Sequence, residues 1–163
     1  MKAWIIYDSV FGNTEKIALA MGNALGSPVD VKVIKASEAR PDQISSLNLL
    51  IVGSPTQRFG PTAPISNLFE IIPKNGLAGV KVAAFDTRLT MDEINKTSVL
   101  AFFVRLFGTH AYAAGRIANQ LRKKGGELVR SPEGFFVHGM EGPLIEGELD
   151  RAADWARQIM AES

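Results

Sequence analysis

Short apolar runs alternate along the chain with segments whose apolar residues recur every three or four positions. The run Val29–Ile34 alternates apolar and polar residues, which favours an edge strand. A fifth strand is predicted to begin near residues 127–129 and to resume at residues 135–137. Runs without polar alternation are typical of central parallel strands covered on both faces, and these are Ala3–Tyr7, Leu49–Val52 and Val82–Phe85.

Apolar stripes at helical spacing predict helices between and after these strands. Gly26-Ser27-Pro28 is predicted to end the first helix, Pro73 the second and Gly125-Gly126 the third. This alternation of strands and helices favours a parallel sheet with helices on both faces, in one domain that spans residues 1–163. The predicted helices are Thr14–Leu25, Ile65–Ile72, Ala113–Lys124 and Glu146–Ala161.

The amino-acid composition limits the kinds of partner, metal site and cofactor that the protein could have. The 18 Lys and Arg residues nearly balance the 17 Asp and Glu residues, and a net charge of +1 gives no long-range attraction for nucleic acid or anionic lipid. Because the chain has no cysteine and only two histidines, disulfides are excluded and no metal site is predicted. No apolar run approaches the ~20 residues of a membrane-spanning helix, so a cytoplasmic protein is expected. Redox chemistry would need a bound cofactor.

Ligands of such a sheet bind at the carboxyl ends of its strands, which makes the loops after the first, third and fourth strands candidate sites. The first loop, Asp8–Thr14, offers hydroxyls, an amide, a glycine and the free N–H groups of a helix start, without any Lys or Arg. This donor set suits a single phosphate monoester. The alternative interpretation is that Asn13 or Thr14 only caps the helix.

The other two loops could hold a planar ligand. Prolines and glycines stiffen Gly53–Pro64, which lowers the entropy lost when a ring docks against its backbone and Phe59. The segment Asp86–Arg88 places polar side chains where they could bond the edge of a heterocycle. In the structural alternative, Phe59 plugs the core and the polar side chains cap the following segment.

Together the three loops resemble the flavodoxin family. The stretch Ile5–Ala18 is similar to the family's first strand, phosphate loop and helix, in which the loop usually has the form Ser/Thr-x-Thr-Gly-x-Thr. Gly53-Ser54-Pro55-Thr56 with Phe59-Gly60 is similar to the second flavin loop, especially in the quinone-reductase branch. The resemblance implies an α/β fold with a three-layer, doubly wound, five-stranded parallel sheet in the order 2-1-3-4-5. It also implies one non-covalent flavin mononucleotide (FMN).

Cofactor-binding residues follow from the resemblance. It implies no catalytic side chain, because the cofactor itself reacts. The phosphate is expected on Ser9, Val10, Phe11, Gly12, Asn13 and Thr14, with Phe11 supplying backbone only. The isoalloxazine ring is expected between two segments, which are Pro55, Thr56, Gln57, Arg58, Phe59 and Gly60 on one side and Asp86, Thr87 and Arg88 on the other.

Three features depart from the family pattern. Phe11 stands where a threonine is usual, and no aromatic residue follows the fourth strand to stack on the outer flavin face. Flavodoxins that carry electrons are generally acidic, whereas here Arg58 and Arg88 flank the predicted ring. Cations near an anionic reduced flavin favour that state, so a less negative potential is expected for the second reduction step. In the alternative interpretation, both arginines point to solvent or pair with Asp86 or Asp92.

An insertion at about residues 89–112 follows the fourth strand. Thr90 or Asp92 could cap a helix that runs to Phe107 and is apolar around much of its circumference. Such a helix either covers the sheet edge or the flavin, or docks a partner or a second copy of the chain. The net charge of +5 over residues 100–130 and of −5 over residues 131–163 would allow pairing between copies.

The sequence predicts an FMN-binding, flavodoxin-like protein that carries electrons between partner proteins. One alternative is an FMN-dependent NAD(P)H or quinone oxidoreductase with a quinone-like substrate, supported by Arg58-Phe59-Gly60 and by the missing outer aromatic residue. A second alternative is a binding domain without flavin, supported by Phe11. The redox partner is not predicted.

Overall fold

The computed structural model describes residues 1–26 and 30–163. Its centre is a parallel sheet in the order β2-β1-β3-β4, with β5 and β6 both paired to β4. The strands are β1 (Lys2–Tyr7), β2 (Asp30–Lys35), β3 (Leu49–Pro55), β4 (Lys81–Leu89), β5 (Glu127–Leu128) and β6 (Glu133–Val137).

Two short strands fill the fifth position of the sheet. β5 pairs with the start of β4 at Lys81 and Val82, and β6 pairs with its second half from Phe85 to Leu89. Pro132 lies between them and has no N–H for the ladder, which accounts for the break. The predicted strand order 2-1-3-4-5 is confirmed, and so is the resumption of the fifth strand.

β2 lies at the edge and has the mixed exposure that its alternating sequence predicts. The predicted start of this strand at Val29, and the Ser27-Pro28 part of the predicted helix stop, lie outside the described residues.

Seven α-helices of the described residues surround the sheet or follow its strands. Two 3-10 turns, Ala36–Glu38 and Gly108–Ala111, complete the helical segments. The α-helices are α1 (Asn13–Leu25), α2 (Pro41–Ile44), α3 (Ala63–Ile71), α4 (Met91–Asn95), α5 (Ser98–Phe107), α6 (Ala113–Lys123) and α7 (Glu148–Ala161).

The insertion does not form one helix, so the expectation of a single helix up to Phe107 is wrong. Thr90 does cap a helix, because its Oγ1 accepts from the Glu93 amide at 3.3 Å, but α4 ends at Asn95. Thr97 then takes an extended conformation with φ −117° and starts α5. The Thr97 side chain makes no capping hydrogen bond, and the break is consistent with the low helix propensity of a β-branched residue.

Each face of the sheet buries its own apolar cluster. On one face, β-strand side chains pack with α3 and α6, including Leu50, Ile65 and Ile117. On the other face they pack with α1 and α7, including Ile17 and Trp155. Parallel strands covered in this way expose little but their ends, so the carboxyl edge of β1, β3 and β4 is left to bind ligands.

Gly53 of β3 lies where the two central strands are packed most tightly. A Cβ atom at this position would lie 2.0 Å from Cζ of Phe85 on β4 and so would clash with the end of its ring. Phe85 is fully buried and meets Phe135 and Trp155 edge-on, with ring centroids 6.1 Å and 6.4 Å away. The ring therefore has no free space into which it could move.

We predict that Gly53→Ala destabilises the protein by about 2 kcal/mol, because the added methyl overpacks the core. The free energy of unfolding from urea denaturation measures this loss. Phe85→Leu removes the ring atoms that clash, so Gly53→Ala should cost much less in the Phe85→Leu background. Equal costs of Gly53→Ala in the two backgrounds would show that Phe85 is not the cause.

Candidate functional site

A cleft of about 510 Å³ opens at the carboxyl edge of the sheet. The three predicted loops form much of its wall, and α5, the 3-10 turn before α6 and the loop after β6 complete it. The topology explains this position, since the strand order reverses between β1 and β3 and their connections leave on opposite faces.

The loop between β1 and α1 presents backbone N–H groups to the cleft. Ser9 Oγ accepts from the amides of Gly12 at 3.1 Å and Glu15 at 3.3 Å, which closes the loop into a ring. Gly12 has a φ of +88°, a left-handed conformation that costs other residues about 1–2 kcal/mol. The amides of Val10, Phe11, Asn13 and Thr14 make no hydrogen bond to an acceptor within residues 1–26 and 30–163. Several unpaired donors at a helix start suit an anion.

The polar side chains of this loop tie it to its neighbours. Asn13 Nδ2 donates to the Glu141 carbonyl at 2.9 Å, and the buried Thr14 hydroxyl lies 2.8 Å from that of Thr87. The loop is therefore held against the end of β4 and against the segment after β6. These bonds restrain the loop, which lowers the conformational entropy that it would lose if a ligand docked there.

The loop after β3 forms a tight two-residue hairpin. The amides of Gln57 and Gly60 each donate to the other's carbonyl at 2.9 Å, and the two residues between them, Arg58 and Phe59, have φ of +47° and +63°. Neither is a glycine, so the turn stores backbone strain. Phe59 packs against Phe103 of α5 with ring centroids 5.4 Å apart, which fixes the tip beside the cleft.

The carboxylate of Asp86 is fully buried and connects β4 to α6. It accepts from Thr56 Oγ1 at 3.1 Å and from the Ala114 amide at 2.9 Å. Arg88 donates to both carboxylate oxygens, at 2.6 Å and 2.9 Å. Thr56 Oγ1 in turn accepts from the Ala113 amide at 2.9 Å. These bonds hold the first turn of α6 against the strand ends, and they satisfy the charge of the carboxylate.

Arg88 also positions Tyr112 beside the cleft. The guanidinium of Arg88 lies 3.8 Å from the ring centroid of Tyr112, and both side chains line the cleft. An aromatic residue therefore forms a wall here although none follows β4 directly. Because Asp86 neutralises Arg88, only Arg58 of the two arginines contributes a net charge, and the expected shift in potential now depends on it.

Most of the predicted cofactor residues line this one cleft. Gly12, Gly60 and Asp86 do not, because two are glycines that shape their turns and Asp86 faces α6. The predicted residues that do line it are Ser9, Val10, Phe11, Asn13, Thr14, Pro55, Thr56, Gln57, Arg58, Phe59, Thr87 and Arg88.

Nine further residues line the cleft, and none of them was named individually as a cofactor residue from the sequence. For those within residues 89–112 the signal is the apolar pattern of the insertion, for which a cover over the flavin was one of the alternatives. Nothing in the sequence marks the residues after β6, which are brought in by the pairing of β6 with β4. The nine are Leu89, Ile94, Leu100, Val104, Ala111, Tyr112, Val137, Gly139 and Met140.

Comparison with known proteins identifies the family. The sequence profile of the Flavodoxin family matches residues 5–158. The chain belongs to the flavodoxin family. As a flavodoxin-like protein it binds FMN and transfers electrons, as the sequence predicts. No curated protein matches the chain.

Solved structures show the same fold at low sequence identity. Oxidised flavodoxin 1 from Bacillus cereus is 14% identical with a TM-score of 0.76, over 99% of this chain and 98% of that one. A flavodoxin from the domain Archaea is 24% identical with a TM-score of 0.71, over 99% and 98% of the two chains. Rubredoxin oxygen:oxidoreductase from Desulfovibrio gigas is 21% identical with a TM-score of 0.68, and the match covers 99% of this chain but 36% of that one.

No helix in the described part of the chain has the length and apolar composition needed to cross a membrane. The cytoplasmic location expected from the sequence stays a prediction.

Tyr7 ends β1 directly before the first loop and titrates abnormally. Burial, and then its hydrogen bond to Glu15 Oε1 at 2.9 Å, raise the pKa of Tyr7 to about 12. An unfolded tyrosine ionises near pH 10. We predict that this group's contribution to stability is present below pH 10 and is lost as the pH rises towards 12. The free energy of unfolding measured across that range should fall less steeply in Tyr7→Phe.

The raised pKa of Tyr7 can also be tested by absorbance spectroscopy. Tyr7 and Tyr112 are the only tyrosines, and burial raises the pKa of Tyr112 as well. Absorbance at the tyrosinate band should therefore show little ionisation near pH 10 in the folded protein. Clear tyrosinate absorbance near pH 10 in the native chain that disappears in Tyr7→Phe would contradict the raised pKa of Tyr7.

Proposed function

We propose that FMN binds in this cleft with its phosphate on the Ser9–Thr14 loop. The observation that carries the proposal is the set of amides at Val10, Phe11, Asn13 and Thr14 that lack an acceptor within the described residues. A phosphate monoester offers several acceptor oxygens, and the N-terminal dipole of α1 favours its negative charge. The loop holds no cation, so binding depends on these neutral donors.

The ring lies between the Gln57–Gly60 hairpin and the Arg88–Tyr112 wall in this proposal. The amides of Arg58 and Phe59, which make no hydrogen bond within the described residues, suit the polar edge of the isoalloxazine, while the side chains of Phe59 and Tyr112 offer aromatic surface. FMN supplies one- and two-electron chemistry when bound. The chain itself binds the phosphate, limits access of water to the ring and sets the local charge.

Within the described residues, the lining of the cleft favours a carrier over an enzyme that moves protons. It includes no Asp, Glu, His or Lys, and its ionisable side chains are Arg58, Arg88 and Tyr112. None of these is suited to general acid–base catalysis near neutral pH. The oxidoreductase alternative would have to obtain its protons from the substrate or from water.

The outer face of α5 is the proposed docking surface for the redox partner. α5 has no buried residue, and it exposes 63% of Val99, 59% of Phe102 and 61% of Leu106, which are spaced along one stripe. Its inner face lines the cleft through Leu100 and Val104. A partner seated on this stripe would therefore lie next to the cofactor, which suits direct electron transfer.

Charges around the stripe favour a partner with an acidic rim. Arg58, Lys96 and Arg105 are exposed, and none of them takes part in a salt bridge among residues 1–26 and 30–163. A second copy docked face to face would bring the same cations together, since a twofold interface repeats one surface. An apolar surface ringed by carboxylates would meet complementary charge instead.

We predict that Asn13→Asp weakens FMN binding by about tenfold or more, because a carboxylate in the phosphate loop repels the phosphate. Riboflavin, which lacks the phosphate, should lose much less affinity than FMN, although both flavins meet a loop without the hydrogen bond from Asn13 to the Glu141 carbonyl. Fluorescence titration of each flavin measures the two dissociation constants. Asn23→Asp changes the same charge at an exposed position of α1 and serves as the control.

The comparison of FMN with riboflavin decides whether the Ser9–Thr14 loop holds the phosphate of FMN. An equal loss of both flavins in Asn13→Asp would indicate a general disturbance of the loop. If FMN and riboflavin bind equally well to the unaltered protein, the loop does not hold the phosphate and the proposal is wrong.

For the docking surface, we predict that Leu106→Ser slows electron transfer to a redox protein with an acidic surface by about tenfold, because it removes apolar contact at the centre of the interface. Leu19→Ser, on the exposed side of α1, is the matched control. Stopped-flow rates measure the effect. The rate should fall as salt is added, and faster reaction with a basic partner would contradict the assignment.

A further inference from the structure

A second cavity of about 650 Å³ adjoins the flavin cleft. It lies between α6, the 3-10 turn Gly108–Ala111 and the segment from Leu128 to Pro132. Arg88, Val104 and Tyr112 line both cavities and form the partition between them. This volume is in the range of sites for small organic ligands.

The ionisable groups of this cavity, apart from Tyr112, are all basic. They are Arg88, His110 and Arg122, and no Asp or Glu of the described residues lines it. Asp86 neutralises Arg88, but Arg122 takes part in no salt bridge of the described chain. Neutral donors are present as well, at Thr109, Asn119 and Ser131. Such a set favours an anionic group.

The rest of the lining is apolar. Met91, Val104, Leu128 and Pro132 contribute aliphatic surface, and Tyr112 contributes an aromatic ring. Apolar surface of this kind favours the uncharged body of an organic molecule over a fully hydrated inorganic ion. The cavity therefore combines a place for a charged end with a place for a hydrophobic body.

Direct contacts hold the wall of the cavity in place. Arg116 Nε donates to the His110 carbonyl at 3.1 Å, which fastens the 3-10 turn to α6. Gly115 lets the turn approach closely, because a Cβ there would lie 2.7 Å from the Thr109 carbonyl oxygen. The side chains of Thr109 and His110 are thus carried by a segment packed directly on α6.

We propose that this cavity binds a small organic anion, a carboxylate or sulfonate with an aromatic or aliphatic body. The charged end lies toward Arg122 and Asn119, and the body lies against Leu128, Pro132 and Tyr112. The site is separate from the phosphate loop and needs no FMN. A ligand bound there touches the Arg88–Tyr112 pair from the side opposite the flavin cleft, so the two sites share one wall.

The test uses 2-naphthoate as the probe, with isothermal titration calorimetry of the protein saturated with FMN and of the protein without FMN. Asn119→Asp places a carboxylate in the cavity lining and should weaken binding by about tenfold. Gln120→Glu makes the same charge change at the next, exposed position of α6 and should change the dissociation constant less than twofold. Arg122→Gln should weaken binding, whereas Lys123→Gln should not.

The outcomes separate this site from the flavin cleft. Binding of 2-naphthoate that persists with FMN present and is weakened about tenfold in Asn119→Asp supports the proposal. Binding that FMN abolishes places the probe in the flavin cleft and overturns it, as does equal binding to Asn119→Asp and Gln120→Glu. 2-Naphthamide, which has the same ring system without the charge, should bind more weakly than 2-naphthoate, and equal affinity would also overturn it. If FMN itself fails to bind, the titration without FMN still tests this cavity.

Discussion

One buried carboxylate organises the functional end of this molecule. Asp86 is fully buried at the carboxyl edge of the sheet, so hydrogen bonds from the protein must compensate its charge. The donors come from three directions: Thr56 after β3, Ala114 at the start of α6, and Arg88 at the end of β4. Removing any one of them would leave a buried charge partly unpaired. The arrangement therefore fixes the relative positions of three segments that the chain places far apart.

The effects of Asp86 extend to both cavities through Arg88. Because Arg88 is held by two bonds to the carboxylate, its guanidinium is in place to stack on Tyr112. The pair forms a wall of the cleft at the carboxyl edge of the sheet on one side and of the second cavity on the other. The ion pair with Asp86 also explains why Arg88 adds little net charge near the predicted ring, whereas Arg58 has no such partner among the described residues. A cation that is already paired changes the local potential less than a free one.

Strain and exposure are concentrated around the same cleft. The hairpin at Arg58 and Phe59 keeps two non-glycine residues in left-handed conformations, and α5 leaves large apolar side chains in water. Both features are unfavourable for an isolated domain, and each has a role in the proposed function: the hairpin turns its amides to the ring, and α5 offers a surface to a partner. The contact between Phe59 and Phe103 joins the two features directly.

The sequence by itself determined the strands, their order through the family resemblance, and the three loops that meet at the cleft. It could do so because buried parallel strands read as continuous apolar runs, and because donors before a helix are local features. It did not determine that the insertion breaks at Thr97, that Asp86 turns to α6, or that Tyr112 and Met140 line the cleft. These three features depend on which helix packs against which strand end, and therefore on contacts between residues that are far apart in the sequence. Only the tertiary structure brings the Arg88 guanidinium onto the ring of Tyr112. The second cavity with its basic side chains is likewise a feature of the tertiary structure alone.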